Sequence, residues 1–289
     1  MQTVCARALS TEGISLRIFF LSMCTAIFAL GLAQSAGATF AHTPYTGPQF
    51  DFTLIEETTQ APLFGGPDVE PLWESVTGVG NTLEFSSTIF DAVGSGGTFD
   101  DTHSTLEVHI SALDAGVQPL DFIRVEESGT LDISGAGTAA SGAILLMGGT
   151  LTLTTILGEE TFTWGDAGSD VGAATFDAGA AISGGVFFDL VNDFGVTNWT
   201  GSIVFDTAAL LATRGVFDVA TDAVLQYNDQ IQAYSEAGST VEVKKTDVLI
   251  TPEPATGVLL VGGLIALGAH ARRRRASCAV EHVSSSEAL

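Results

Sequence analysis

The sequence predicts an all-β fold, a single jelly-roll-like β-sandwich, over residues 39–251. Short stretches in which apolar and polar residues alternate are typical of half-buried strands. This range also holds 26 of the chain's 33 glycines, as frequent tight turns require. No long amphipathic helices separate the strands, which argues against an alternating α/β fold. A β-solenoid is the alternative, because segments 129–135 and 149–153 resemble solenoid rungs, although no fixed period extends beyond two of them.

The clearest predicted strand is Thr105–Ile110, where Leu106, Val108 and Ile110 should face the core and Glu107 and His109 should face outward. Residues 150–164 predict a hairpin that turns at 158–160. Further strands are predicted at 50–54, 83–90, 122–125, 130–133, 186–191, 202–205, 240–244 and 247–250.

Two short helices are also predicted from capping signals. Asp206 could cap a helix over 207–214 that ends at Gly215. Asp229 could cap a second helix over 230–237 that ends at Gly238.

Cysteine usage and charge restrict what the domain can be. The three cysteines lie outside residues 39–251, so the stability of the domain must come from packing or bound ions rather than disulfides. Thirty acidic residues stand against four lysines and arginines in this range, which gives a net charge of −26. Such a surface repels nucleic acid, so a nucleic-acid partner is excluded.

Metal binding and catalysis have only weak support in the sequence. Asp100 and Asp101, in a predicted loop, are weak candidate ligands for Ca²⁺, although they match no EF-hand spacing. His103, predicted on the same loop, and His109 could join a metal site, but a surface role is preferred. No Gly-x-Ser-x-Gly, P-loop or His-Glu-x-x-His motif is present, so the chain is predicted not to be an enzyme.

The N-terminal segment has the pattern of a signal peptide over residues 1–38. Arg7 and Arg17 supply the positive charge, and residues 18–33 form the apolar region. Ala36 and Ala38 flank Gly37 in a small-x-small cleavage site, so the mature chain should begin at Thr39.

The C-terminal segment joins three features in order. Pro252, Glu253 and Pro254 should end the folded domain, because proline cannot continue a strand or helix. The apolar residues 255–271 would form a transmembrane helix about 25 Å long, short against a bilayer core of about 30 Å. The four arginines at 272–275, namely Arg272, Arg273, Arg274 and Arg275, would stay on the cytoplasmic side.

This order of Pro-Glu-Pro, apolar helix and arginine cluster resembles the PEP-CTERM sorting signal of bacterial envelope proteins, over about residues 250–275. The resemblance implies export, transient membrane anchoring and processing near the Pro-Glu-Pro by an exosortase-type peptidase. A tail at 276–289 follows the basic cluster, whereas the family pattern usually ends soon after it.

The sequence therefore predicts an exported protein of the cell envelope or extracellular matrix that passes through an inner-membrane intermediate. Its expected role is structural, adhesive or in surface display, with extracellular polysaccharide as a candidate partner. The alternatives are a secreted carbohydrate-active hydrolase, for which the paired carboxylates would need to face a cleft, and a carbohydrate- or Ca²⁺-binding module.

Overall fold

A computed structural model describes residues 38–59, 71–114, 116, 118–166 and 168–254. Over these residues the chain forms sixteen strands and one short helix. The strands are β1 (Ala38–Ala41), β2 (Tyr45–Thr46), β3 (Phe50–Thr59), β4 (Ser75–Val79), β5 (Thr82–Ser86), β6 (Asp91–Ser95), β7 (Phe99–Ala112), β8 (Phe122–Gly135), β9 (Gly142–Thr155), β10 (Gly158–Trp164), β11 (Thr175–Phe176), β12 (Ala180–Ile182), β13 (Gly185–Asp189), β14 (Gly195–Asp206), β15 (Asp222–Tyr234) and β16 (Ser239–Glu253). The helix α1 (Thr207–Thr213) lies between β14 and β15.

The strands form two antiparallel sheets. The first sheet has nine strands in the order β1-β3-β7-β15-β9-β13-β12, with β10 paired to β9 and β2 paired to β3. The second has seven strands in the order β11-β14-β8-β16-β5-β4, with β6 paired to β16. Each sheet places strands distant in sequence side by side, such as β7 beside β15, and this confirms the jelly-roll-like sandwich. The solenoid alternative is wrong, because a solenoid stacks successive repeats against each other.

The two sheets bury one continuous hydrophobic core between them. Its composition follows the period of two expected for strands with one buried face. In β7, Leu106, Val108 and Ile110 are fully buried, whereas Glu107 and His109 lie on the outer face, as predicted.

The predicted hairpin and the first predicted helix are both present. Strands β9 and β10 pair from Thr155 opposite Gly158, so the turn lies at Ile156 and Leu157, two residues before the predicted position. Helix α1 is capped by Asp206, whose carboxylate accepts a hydrogen bond from the Ala209 N–H at 2.9 Å. The chain leaves the helix at Gly215, whose φ of +77° is accessible to glycine at little cost.

The second predicted helix is wrong, because residues 230–234 belong to strand β15. The local capping signal at Asp229 is worth about 1 kcal/mol. The hydrogen bonds of the sheet outweigh this capping signal, because β15 pairs with β7 on one edge and with β9 on the other over 13 residues.

The expected end of the fold before Pro252 is also wrong. Pro252 is buried in β16, opposite Ile123 of β8. The Glu253 carbonyl accepts a hydrogen bond from the Asp121 N–H at 3.2 Å. Neighbouring residues of a strand direct their backbone groups to opposite edges, so the edge of β16 on which Pro252 lacks an N–H faces away from β8. On that edge β5 pairs only with residues 247–250, so proline costs no hydrogen bond to β5 at position 252.

Candidate functional site

A groove lined mainly by polar residues lies on the outer face of the seven-stranded sheet. Its cavity volume is about 390 Å³. The groove is lined by Glu84, Glu126, Glu127, Ser128, Thr200, Gly201, Ser202, Asp247 and Leu249. We call this feature the carboxylate groove.

The register of three neighbouring strands explains which side chains meet in the carboxylate groove. Leu249 of β16 stands between Glu84 of β5 and Glu126 of β8. The two glutamates are therefore two strand spacings apart, about 10 Å between Cα atoms. Two residues before Leu249 in β16, Asp247 stands between Ser86 of β5 and Ser128 of β8. The register of β16 against β8 shifts just before it, between Lys245 and Asp247.

The groove offers mainly hydrogen-bond acceptors. Asp247 accepts hydrogen bonds from the Ser86 hydroxyl at 3.1 Å and the Ser128 hydroxyl at 3.4 Å. The Glu126 carboxylate lies 3.4 Å from the Arg124 guanidinium, and both groups are partly exposed. An array of carboxylates and hydroxyls beside one apolar side chain suits a ligand rich in hydroxyl groups, because ionised carboxylates only accept hydrogen bonds.

A second polar cluster lies inside the sandwich, where the core is otherwise apolar. The Lys245 ammonium group donates hydrogen bonds to Glu127 and Asp229, and all three side chains are fully buried. Glu127 and Lys245 come from β8 and β16 of one sheet, and Asp229 comes from β15 of the other. We call these three residues, with Tyr227, the Lys245 cluster.

Aromatic rings enclose the Lys245 cluster. The Tyr227 hydroxyl donates to Glu127, and its ring stacks on Trp164 at 5.7 Å. The Lys245 nitrogen lies 5.8 Å from the rings of Phe90 and Trp199. These walls keep water from the charges, so their interactions are much stronger than at the surface.

Several buried polar atoms in and around the Lys245 cluster make no hydrogen bond. Within the described part of the chain, Glu127 Oε1 and Asp229 Oδ2 are buried without a hydrogen-bond partner, and so are the indole nitrogens of Trp164 and Trp199. Buried polar groups are usually satisfied, so four such atoms around one cluster call for an explanation.

Burial controls the protonation of the cluster. Loss of hydration lowers the pKa of Lys245 from its ordinary value, although the Glu127 carboxylate opposes this effect. Loss of hydration and the nearby Glu127 charge raise the pKa of Tyr227 well above its ordinary value, so the phenol stays protonated. A lysine whose charged form is disfavoured is a better nucleophile.

The structure does not bring the predicted Ca²⁺ ligands together. Asp100 and Asp101 lie on strand β7 rather than in a loop, and adjacent residues of a strand point to opposite faces. Asp100 accepts a hydrogen bond from the Val93 N–H at 2.8 Å. Among the described residues, no group of three or more acidic, histidine or cysteine side chains could hold a metal ion.

The two histidines that were candidates for a metal site are not neighbours. His103 belongs to β7 and not to the predicted loop, and His109 lies six residues along the same strand, where it contacts Glu107 at 3.0 Å. Burial, and secondarily the positive charge of Lys245, lower the pKa of His103 to about 4.

Most residues of the predicted signal-peptide cleavage site and sorting signal lie outside the described residues, namely Ala36, residues 255–271 and Arg272–Arg275. Of the remainder, Ala38 begins β1, Pro252 and Glu253 end β16, and Pro254 follows. No helix in the described ranges is long and apolar enough to cross a membrane, and the predicted span at 255–271 falls beyond them.

The Lys245 cluster was missed by the sequence analysis, although a signal for it exists. Lys245 is in phase with the buried Val241 and Val243 of its strand, where an apolar residue is expected. Asp229 is in phase with Leu225 and Tyr227 in the same way. A charge at the core phase of a strand is rare unless it is paired, so these positions could have been identified together.

Comparisons with known proteins add little beyond the fold class. No protein-family model and no curated protein matches this chain. The family 11 xylanase from Neocallimastix patriciarum is 8% identical with a TM-score of 0.17, covering 75% of this chain and all of its own. Endoglucanase 3 of family GH12 from Trichoderma harzianum is 11% identical with a TM-score of 0.18, covering 77% of this chain and 99% of its own. The CBM22-1 xylan-binding domain from Paenibacillus barcinonensis is 11% identical with a TM-score of 0.17, covering 76% of this chain and 99% of its own.

Proposed function

We propose that this chain is an exported cell-envelope or matrix protein with a structural and adhesive role, which contacts polysaccharide through the carboxylate groove. The observation that carries the proposal is the juxtaposition of Glu84, Glu126 and Asp247 with serine and threonine hydroxyls on one open sheet face. Sugar hydroxyls are hydrogen-bond donors that such a face can accept. The net charge of −26 over residues 39–251 favours neutral over acidic polysaccharides.

The end of the sandwich at which β16 stops carries exposed apolar side chains, and this supports the proposal that the chain is anchored to a membrane during export. The Asp121 N–H donates to the Glu253 carbonyl, where β16 ends, and the N–H of the preceding residue, Leu120, donates to the Ala220 carbonyl. Nearby, the Thr221 N–H bonds to Thr154, just before the turn of the β9–β10 hairpin. Exposed apolar side chains gather at this end, namely Ile156, Leu157, Phe217 and Val219. The chain thus leaves the domain toward its predicted membrane segment beside apolar tips that suit a lipid interface.

Polysaccharide binding is tested by replacing the two glutamates of the groove together. We expect Glu84→Gln with Glu126→Gln to weaken binding of a neutral glucan or galactan about tenfold, since each removes a charged acceptor, and a tenfold change is about 1.4 kcal/mol. The matched control is Glu242→Gln, on the same sheet but paired with Lys244 at 2.6 Å. Calorimetry would measure the affinities, with polygalacturonate as the acidic counterpart.

Equal affinity in the double variant and the control would show that sugars do not bind in this groove. Release of reducing sugar by the parent protein, lost in the double variant, would instead favour the hydrolase alternative, for which Glu84 and Glu126 are the two carboxylates across Leu249.

The sorting proposal is tested by the intact mass of the protein from its host, in membrane and medium fractions. We expect a mature chain that begins near Thr39. Because Pro252 and Glu253 are part of β16, we expect its C-terminus to follow Glu253 and so preserve the strand. A chain that keeps Arg272–Arg275 and occurs only in membranes would identify a permanent anchor.

A further inference from the structure

We infer that Lys245 and Asp229 form an intramolecular amide bond that joins the two sheets, with Glu127 as the group that moves the protons. The geometry points to this because the lysine nitrogen contacts both carboxylates, at the fully buried centre of the sandwich. Strands β15 and β16 hold the reacting groups together permanently, and such proximity replaces the entropy cost of bringing amine and acid together.

The reaction balances without any further reactant. A proton passes from the Lys245 ammonium group to the Asp229 carboxylate, which leaves a neutral amine beside a carboxylic acid. The amine nitrogen attacks the Asp229 carbonyl carbon, and Glu127 accepts a proton from that nitrogen. Glu127 returns the proton to the departing hydroxyl, so one C–N bond forms, one C–O bond breaks and one water molecule leaves.

Burial favours both the neutral reactants and the product. The desolvation that lowers the pKa of Lys245 stabilises the nucleophilic form of the amine. The buried Lys245–Asp229 ion pair is costly because two charges have lost their hydration. The amide removes both charges, while its N–H can still donate to Glu127.

Asp229 is the assigned partner rather than Glu127 for two reasons. Glu127 also accepts the Tyr227 hydroxyl, which orients it as a proton carrier. A bond to Asp229 would also give a domain without cysteines a covalent link between its sheets.

Tryptic mapping of the full-length protein tests the assignment. Arg214 lies between Glu127 and Asp229 in the sequence, so the two carboxylates fall in different fragments, 125–214 and 215–244. We expect fragment 215–244 to be joined to the fragment that begins at Lys245, with the mass of one water lost and no cleavage after Lys245. Tandem mass spectrometry would place the link on Asp229.

Lys244 is the internal control, because it contacts Glu242 at 2.6 Å on the exposed face. Trypsin should cleave after Lys244 and should find no link there. Linear fragments alone would overturn the inference, and a link from Lys245 to fragment 125–214 would overturn the choice of Asp229.

The role of Glu127 is tested by Glu127→Gln, which keeps the shape of the side chain but cannot carry the proton. A variant with the parent's circular dichroism spectrum should yield only linear fragments. A folded variant that is still linked would show that Glu127 is not needed. If the variant does not fold, the map of the parent protein still decides whether the bond exists.

Discussion

Replacing Lys245 with methionine is expected to destabilise the domain by about 3–5 kcal/mol. Whether the parent holds Lys245 as an ion pair or as the inferred amide, the change leaves the Glu127 and Asp229 carboxylates buried with neither a cation nor an amide N–H between them, and a buried charge without its partner costs about this much. Urea denaturation of Lys245→Met and of the parent protein would measure the difference in the free energy of unfolding.

Two further variants show whether the loss comes from the unpaired charges. Lys244→Met removes the adjacent, exposed lysine and should cost about 1 kcal/mol or less. Adding Glu127→Gln and Asp229→Asn to Lys245→Met removes the charges as well and should recover a large part of the stability. Equal losses for Lys244→Met and Lys245→Met would contradict the central place given to the cluster.

The second large effect is a dependence of stability on pH that is due to His103. Its pKa in the folded protein is about 4, because burial and then the Lys245 charge disfavour the imidazolium. The pKa of an unfolded histidine is about 6.5. Below that pH the unfolded chain binds a proton that the folded chain rejects, so stability is complete above about pH 6.5 and falls toward pH 4.

The size of the His103 contribution follows from the difference between the two pKa values. It amounts to about 3 kcal/mol between pH 6.5 and pH 4. In His103→Gln this part of the decline should disappear, whereas His109→Gln, at a more exposed position of the same strand, should keep it. Parallel curves for the parent and His103→Gln between these pH values would refute the prediction.

Local sequence pattern identified the parts of the fold that depend on local chemistry. The alternation at Thr105–Ile110 reports burial of one face directly, and Asp206 with Gly215 is a complete set of capping signals around a short helix. Both predictions were right because neighbouring residues alone determine the outcome.

The local sequence pattern could not predict the order of the strands in the two sheets. Asp229 looks like a helix cap until β7 and β9 are known to flank it, since the energy of that pairing comes from residues far away in sequence. The carboxylate groove likewise exists only because β8 and β5 lie on either side of β16. Which strands lie next to each other cannot be read from any single stretch of the chain.

If the chain is exported as proposed, the position of β16 makes the order in which its strands cross the membrane important for folding. This strand bonds to β8 on one edge and to β5 and β6 on the other, so without it the seven-stranded sheet falls into three separate pieces, namely β11-β14-β8, β5-β4 and β6. A chain threaded through a translocon from its N-terminus delivers these 15 residues last among the described strands. Until they arrive, β8 and β5 present open edges that invite pairing with other chains. Tethering the emerging chain at the membrane would keep such half-assembled molecules apart until the last strand is in place.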